Sequence, residues 1–139
     1  MIPIVVISHG GIARELLATA AIILGEHKED GPADAIEISG SASVDEVRQR
    51  ISEIVKSHSS LDGYSGTLIL TDMAGGSSCN VCLPLVKTHR VAIISGANLY
   101  MVLSAIKNRS TVSSLEELKK HVMSDGIKSI ADVCSIFVK

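Results

Sequence analysis

The feature that most constrains the fold is the apolar run Pro3-Ile4-Val5-Val6-Ile7, which ends in Ser8-His9-Gly10-Gly11. Consecutive Val and Ile residues bounded by Ser and Gly are typical of a strand buried on both faces, as in the parallel sheet of an α/β protein. His9 would then lie at the carboxyl end of the first strand, where ligands bind in open α/β sheets. A single histidine can also simply end a strand, so His9 needs a second signal before it becomes a site residue.

Alternating strand and helix patterns follow this run. We expect further strands at residues 35–38, 67–71 and 90–95, with the first of these at the sheet edge. Apolar residues at helical spacing predict helices over residues 12–24, 43–57, 77–88, 99–107 and from 114 to a stop at Asp125-Gly126. Capping boxes, Ser43 with Glu46 and Ser114 with Glu117, mark two of the helix starts. Pro84 lies inside the predicted third helix and should kink it or end it early.

These elements predict the fold class. Four strands separated by helices indicate a doubly wound, mainly parallel four-stranded sheet in the order 2-1-3-4, with helices on both faces. The 139 residues are enough for a proper core, and we expect one domain spanning 1–139. Periodicity does not decide whether residues 127–138 form a strand or a helix.

Composition excludes some classes of function. The chain is 46% hydrophobic but 2% aromatic, it has no Trp, and its formal net charge is −2. Such a chain has an aliphatic core, few rings for base stacking and no basic footprint, so we expect no nucleic-acid binding. The opening apolar run is too short for a signal peptide or a membrane span, so we expect a cytoplasmic protein that is not membrane-embedded.

Three cysteines, Cys79, Cys82 and Cys134, leave two interpretations open. An odd number in a chain that looks intracellular argues against a disulfide framework. Cys79 and Cys82 have thiol-redox spacing, yet a Gly-Gly-Ser-Ser turn precedes them where redox motifs follow a strand directly, so we favour two small buried apolar residues. Zinc ligands at matching spacing are lacking, and we expect no metal site.

The second signal for His9 is the acidic, glycine-rich segment from Thr71 to Ser77. Asp72 follows the carboxyl end of the predicted third strand, at the same sheet edge as His9. A carboxylate that accepts a hydrogen bond from Nδ1–H fixes the imidazole tautomer and leaves Nε2 as a nucleophile. Backbone amides of the glycine-rich turn from Gly75 to Ser77 suit an anion. Together these residues predict a histidine that accepts a phosphoryl group.

Other interpretations of this segment carry less weight. Asp-x-x-Gly-Gly-Ser can form a simple turn with an N-cap. Ser77 or Ser78 as a hydrolase nucleophile lacks the nucleophile-elbow sequence. The chain has no Walker loop, no Gly-x-Gly-x-x-Gly and no acidic cluster for magnesium, so we expect no cofactor and a phosphorylated protein as the donor.

Three motifs resemble the mannose-type IIA components of the phosphoenolpyruvate-dependent sugar phosphotransferase system (PTS). They are Val6-Ile7-Ser8-His9-Gly10, residues 71–80, and Gly96-Ala97-Asn98-Leu99-Tyr100-Met101, and the resemblance covers essentially the whole chain. It implies that His9 is phosphorylated by the histidine phosphocarrier protein and passes the group to a separate IIB partner. Asp72 would orient His9. The implied phosphoryl-binding residues are Gly75, Gly76, Ser77 and Ser78.

The resemblance also implies an assembly. It predicts a homodimer in which a C-terminal strand crosses to the other subunit, and an association with a membrane IIC/IID complex. The family often has an aromatic residue at 74 and prolines at 78 and 100, where this chain has Ala74, Ser78 and Tyr100. These departures leave partner specificity and the shape of the site rim open, and the sugar is not determined.

Two alternatives to transport remain. One is a regulatory binding module whose phosphorylation state is sensed by a partner; the other is the subunit that feeds dihydroxyacetone kinase, against which the motif at 72–80 argues. Met73 could line the rim or pack inside. The remaining histidines are predicted to be solvated spectators: His27, His58, His89 and His121.

Overall fold

The computed structural model describes residues 1–26 and 30–138, which fold around a four-stranded sheet. All neighbouring strands are parallel, and their order is β2-β1-β3-β4. This confirms the predicted topology, with β2 starting two residues earlier than expected. The strands are β1 (Ile4–His9), β2 (Ala33–Ile38), β3 (Thr67–Thr71) and β4 (Val91–Ser95).

Helices cover both faces of this sheet. The described chain contains six α-helices and one 3₁₀ helix. They are α1 (Ile12–Leu24), α2 (Val44–His58), α3 (Ser77–Asn80), the 3₁₀ helix (Leu83–Lys87), α4 (Leu99–Asn108), α5 (Leu115–Lys128) and α6 (Val133–Phe137). None of the helices in the described residues is long and apolar enough to cross a membrane.

Strand β1 is apolar at successive positions because the sheet buries both of its faces. Ile4 and Val6 pack into a cluster with residues of α1, α4 and α5. Val5 and Ile7 point the other way, into a cluster with α2 and the segment after α3. The four side chains are fully buried, and at about 1.5–3 kcal/mol each they contribute strongly to holding β1 in the middle of the sheet.

Helices α2 and α5 begin at the predicted N-cap residues, with one difference in their hydrogen bonds. At α2, Ser43 accepts from the amide of Glu46 and the Glu46 carboxylate accepts from the amide of Ser43, so this capping box is confirmed. At α5, Ser114 accepts from the amide of Glu117. The Glu117 carboxylate, however, accepts from the amide and hydroxyl of Ser113, so the predicted second box is only half formed.

The early end expected from Pro84 in the third helix is confirmed, whereas the helix stop predicted at Asp125-Gly126 was wrong. The third helix ends at Asn80, well before residue 88, and the chain continues as a 3₁₀ helix because Pro84 has no amide to extend an α-helix. Helix α5, by contrast, runs through Asp125-Gly126 to Lys128. A Cβ atom at position 126 would lie 2.5 Å from Cγ of Met101 on α4. Gly126 therefore serves the close packing of two helices and does not stop the helix.

The C-terminal tail is helical in the single chain. Residues up to Lys128 extend α5, and Asp132 caps α6 by accepting from the amides of Cys134 and Ser135. The tail exposes several large apolar side chains: Ile127, Ile130, Val133, Ile136, Phe137 and Val138. Exchange of a C-terminal strand between two chains stays a prediction.

His58 was wrongly predicted to be a solvated spectator. Its side chain is buried, its Nε2 lies 2.9 Å from Oδ2 of Asp34, and its Nδ1 lies 3.3 Å from the hydroxyl of Thr67. It thereby joins the end of α2 to the starts of β2 and β3. His89 is half-buried and His121 is exposed, and His27 lies outside the described residues.

Candidate functional site

The site is built where β1 and β3 end side by side. These strands are hydrogen-bonded neighbours, with Ile7 opposite Thr71, so His9 and Asp72 meet at one edge of the sheet. Nδ1 of His9 lies 2.8 Å from Oδ2 of Asp72, and the backbone amide of His9 donates to the same oxygen at 2.9 Å. Two contacts to one carboxylate oxygen fix both the backbone and the ring of His9. The predicted pairing of His9 with Asp72 is present in the geometry.

The two side chains differ in exposure. His9 is 44% exposed and Asp72 is 14% exposed. Since Nδ1 is engaged by Asp72, Nε2 is the ring nitrogen left for contact with another molecule. This combination of a held ring and an accessible nitrogen is what a nucleophilic histidine requires.

Asp72 is kept ionised by its other contacts. Its second oxygen, Oδ1, accepts from the amide of Met73 at 2.9 Å and from the hydroxyl of Ser78. Burial raises the pKa of Asp72, but hydrogen bonds from Ser78 and from the amide and ring of His9 outweigh it and lower the pKa to about 2. At neutral pH the carboxylate is therefore negative, and it favours the Nδ1–H tautomer of His9.

The loop between β3 and α3 approaches the histidine ring closely. A Cβ atom at position 76 would lie 3.5 Å from Cε1 of His9 and 2.9 Å from Cγ of Met73, so Gly76 is where backbone and ring can meet. Gly75 has a φ of 72°, a conformation that favours glycine. No side chain of the described residues caps α3 at Gly76, which leaves the amides of its first turn available.

A second tight turn, after β1, depends on a residue that sequence reasoning did not single out. The buried hydroxyl of Ser8 accepts from the amide of Ala13 at 2.7 Å and so ties the strand to the start of α1. Gly10, in the turn, has a φ of 56°. The only sequence signal for Ser8 is a polar residue that directly follows a buried apolar run.

The predicted phosphoryl-binding residues lie together, but their contacts differ. Gly76 faces His9, while Gly75 and Ser77 lie on either side of it at the start of α3. The hydroxyl of Ser78 is directed to Asp72, so Ser78 acts on the site through the carboxylate. Met73 is 54% exposed and packs over Gly76, so it lies at the rim of the site. Of the two roles considered for Met73 from the sequence, this is the rim position.

The fold and the site define an α/β domain with an exposed, carboxylate-held histidine at the switch point of a parallel sheet. Comparison with known proteins agrees with this class: the family model described as "PTS system fructose IIA component" matches residues 3–123. The chain belongs to the mannose-type IIA family of the PTS. Membership of this family supports a phosphocarrier role in sugar phosphotransfer.

Individual relatives give the extent of the similarity. The mannose-specific EIIAB component of Escherichia coli K12 is 31% identical over 119 residues, which cover 84% of this chain and 35% of that protein. The chain thus spans about a third of the length of the curated relatives it matches.

Two solved structures superpose on almost the full chain. The mannose/sorbose-specific IIA subunit from Enterococcus faecalis has a TM-score of 0.82 at 27% identity, with 96% of each chain covered. The EIIA component from Streptococcus agalactiae has a TM-score of 0.85 at 24% identity, with 97% of this chain and 99% of that chain covered, and supports the fold.

Proposed function

We propose that this protein is a phosphohistidine carrier of a sugar PTS, in which Nε2 of His9 accepts a phosphoryl group and later releases it. The observation that carries the proposal is the 2.8 Å contact between Nδ1 of His9 and Oδ2 of Asp72. It assigns the proton to Nδ1 and the free lone pair to Nε2, and it does so in a side chain that is 44% exposed.

The reaction needs little more than this pair. The lone pair of Nε2 attacks the phosphorus of a donor phosphohistidine, and the nitrogen–phosphorus bond of the donor breaks. The ring of His9 becomes a phosphoimidazolium that keeps its Nδ1 proton. The negative charge of Asp72 stabilises the positive charge that forms on the ring, because the carboxylate is already in place and needs no reorganisation. Transfer to an acceptor histidine or cysteine runs through the same steps in reverse.

Backbone amides of the loop would hold the phosphoryl oxygens. Gly76 brings the main chain against the ring, and the uncapped first turn of α3 offers the amides of Ser77 and Ser78. The positive φ of Gly75 shapes this turn. Amide donors suit a group that enters and leaves, since they stabilise charge without taking part in proton transfer.

The partners we propose are proteins. The donor is the histidine phosphocarrier protein and the acceptor is a separate IIB component. The EIIAB name of the Escherichia coli relative joins an A with a B component, which supports a IIB domain as the acceptor. His9 is open to the surface, and exposed apolar side chains accompany it: Met73 packs over Gly76, and Ile12, three residues after His9, is 50% exposed. A surface of this kind suits docking of a protein.

We also propose a cytoplasmic homodimer that works beside a membrane IIC/IID complex. Exposed apolar side chains of the tail, among them Ile130 at 84% and Phe137 at 77%, support a dimer contact through the C-terminal segment. Whether a strand is exchanged is part of this proposal.

The proposal is tested by phosphoryl transfer from phosphoenolpyruvate through enzyme I and the phosphocarrier protein of the same organism. Intact mass should show one added phosphate that brief acid removes, and His9→Ala should prevent it while His121→Ala, at an exposed site, should not. Addition of the cognate IIB protein should discharge the phosphate. No phosphate on the wild type would contradict the carrier role, and a phosphate that IIB cannot discharge would favour a regulatory binding module.

A further inference from the structure

The cysteine pair of the Cys79-x-x-Cys82 motif follows Ser78, the residue whose hydroxyl contacts Asp72 at the site. Cys79 is half-buried on α3, and Cys82 is fully buried at the start of the 3₁₀ helix. The Sγ atom of Cys82 lies 3.1 Å from the carbonyl oxygen of Ser78 and 3.1 Å from that of Cys79. The second thiol is therefore folded back onto the turn that carries the first.

The backbone of this turn brings the two cysteines within reach of each other. The amide of Cys82 donates to the carbonyl of Cys79 at 3.2 Å, and the amide of Val81 donates to Ser77 at 3.0 Å. Residues three apart in such a turn have Cβ atoms about 5–6 Å apart, and a disulfide needs about 3.5–4.5 Å. The turn must tighten by roughly 1–2 Å to form the bond. Helix α3 is four residues long, so this movement does not have to deform a long helix.

The same turn holds the catalytic carboxylate. The carbonyl of Ser78 accepts from the Cys82 thiol, and the hydroxyl of Ser78 donates to Oδ1 of Asp72. Oδ2 of Asp72 in turn holds Nδ1 of His9. Drawing Cys82 towards Cys79 breaks the thiol contact to Ser78 and moves the backbone to which that hydroxyl is attached.

We infer that Cys79 and Cys82 form a reversible oxidation site, closed to a disulfide by a hydroperoxide, and that closure lowers phosphoryl acceptance at His9. Both cysteines are free thiols in the structure, and formation of the disulfide is inferred from the geometry alone, whereas its effect on phosphoryl acceptance rests on the proposed function. The pair would let the oxidation state of the surroundings set the activity of the carrier.

The chemistry balances with hydrogen peroxide as the oxidant. The thiolate of Cys79 attacks one peroxide oxygen, the oxygen–oxygen bond breaks, and the hydroxide that leaves is protonated to water, which gives a sulfenic acid. The sulfur of Cys82 then attacks this sulfur, the sulfur–oxygen bond breaks, and the leaving hydroxide takes the Cys82 proton to form a second water. Two electrons pass from the two thiols to the peroxide, and a dithiol reductant reverses the change.

The order of the two steps follows from exposure. Cys79 is partly accessible to a dissolved oxidant, while burial, together with the nearby Cys79 sulfur, raises the pKa of Cys82 to about 12. Cys82 is thus a poor thiolate in the reduced fold, and it reacts as the resolving thiol once the turn has moved.

The experiment uses a Cys134→Ser parent, because Cys134 is exposed and would react independently. The parent and its Cys82→Ala variant are treated with hydrogen peroxide, and peptide mapping then follows the segment that contains both cysteines. We expect the parent to lose two hydrogens in mass through a Cys79–Cys82 bond and to slow in phosphoryl acceptance on the order of tenfold, because the hydrogen bond from Ser78 to Asp72 is weakened, with recovery in dithiothreitol. The Cys82→Ala variant should form no such disulfide, and peroxide should cause no slowing of its phosphoryl acceptance that dithiothreitol reverses.

A second readout separates this inference from the proposed function. The imidazole resonances of His9, followed by NMR without any donor, should shift in the oxidised parent and return on reduction. A reduced parent that accepts no phosphate would contradict the proposed function, while the mass and NMR results would still decide the disulfide and its link to His9. A segment that stays dithiol in folded protein, or a disulfide that leaves both the His9 resonances and phosphoryl acceptance unchanged, would overturn the inference.

Discussion

One carboxylate oxygen of Asp72 contacts His9 twice, through the imidazole Nδ1 at 2.8 Å and through the backbone amide at 2.9 Å. The two residues are 63 positions apart in the chain and meet because they end neighbouring strands of a parallel sheet. The backbone contact holds Asp72 in place even while the ring changes its charge. The pair is therefore a rigid support for the nucleophile that we propose, whose proton must remain on Nδ1.

Replacing Asp72 by Asn tests the role of that charge. Asn keeps the size of the side chain but cannot stabilise a positive ring, so phosphoryl acceptance should slow by about 10- to 100-fold, with the circular dichroism spectrum unchanged. Asp45→Asn is the matched control, because Asp45 is 92% exposed and pairs with Arg48 on the surface of α2. Equal transfer rates in Asp72→Asn and wild type would remove Asp72 from the mechanism.

The low pKa of Asp72 predicts how stability depends on pH. Its folded value of about 2 lies below the ordinary value of 3.8, so the group stabilises the folded state above about pH 4. That contribution, about 2 kcal/mol, is lost as the pH falls through about 2. Urea unfolding between pH 2 and pH 7 should show a smaller loss of stability at low pH in Asp72→Asn than in wild type. Parallel curves for the two proteins would contradict the contacts described for this carboxylate.

Gly76→Ala tests the close approach of the loop to the ring. The added methyl group would lie 2.9 Å from Cγ of Met73 and 3.5 Å from Cε1 of His9, so Met73 or the ring must shift. We expect slower phosphoryl acceptance with a small loss of stability, on the order of 1 kcal/mol. Gly40→Ala is the control, since a Cβ atom at Gly40 meets nothing within 4 Å. If both variants transferred phosphate at the wild-type rate, the loop would not be part of the site.

Ser78→Ala distinguishes action through Asp72 from direct phosphoryl contact. Without the Ser78 hydroxyl, Oδ1 of Asp72 loses one of its two donors among the described residues and keeps the amide of Met73, so the pKa of Asp72 should rise from about 2. An NMR titration of the Asp72 carboxyl carbon measures this change, with Ser77→Ala as the control. A rise in Ser78→Ala alone is expected, and an unchanged titration would show that Ser78 does not support the carboxylate.

His58→Leu tests the buried network at the opposite end of the sheet. The change leaves Asp34 and Thr67 without their imidazole partner, which should lower the free energy of unfolding by about 1–3 kcal/mol. His121→Leu, at a 51% exposed position, should change it by less than about 0.5 kcal/mol. Denaturant unfolding of the two variants measures both effects. If His58→Leu and His121→Leu had the same free energy of unfolding, the buried contacts of His58 would not contribute to stability.

The topology could be predicted from the sequence because β1 and β3 are buried on both faces. Such strands consist of mostly consecutive apolar residues, which the sequence shows directly. The pairing of His9 with Asp72 followed from the same pattern, since parallel strands end at one edge. Contacts that depend on tertiary packing could not be predicted. Gly126 resembles a helix stop until Met101 is placed against it, and His58 resembles a surface residue until Asp34 is placed beside it.

The site was predicted less completely than the fold. The sequence predicted which residues form the site and at which edge of the sheet they lie, but it did not predict the hydrogen-bond partner of each hydroxyl. The hydroxyl of Ser78 donates to Asp72, and the hydroxyl of Ser8 accepts from the amide of Ala13. Each partner comes within hydrogen-bonding distance because the turn has folded. A motif fixes which groups are near a site, while the partner of each group is decided by local backbone geometry.

The most direct test of the central claim is the position of the phosphate on the imidazole ring. Nitrogen-15 NMR of the phosphorylated protein, with long-range couplings to the ring protons of His9, identifies which nitrogen carries phosphorus and which carries hydrogen. We expect phosphorus on Nε2 and a proton on Nδ1, held by Asp72. Phosphorus on Nδ1, or on any residue other than His9, would contradict it.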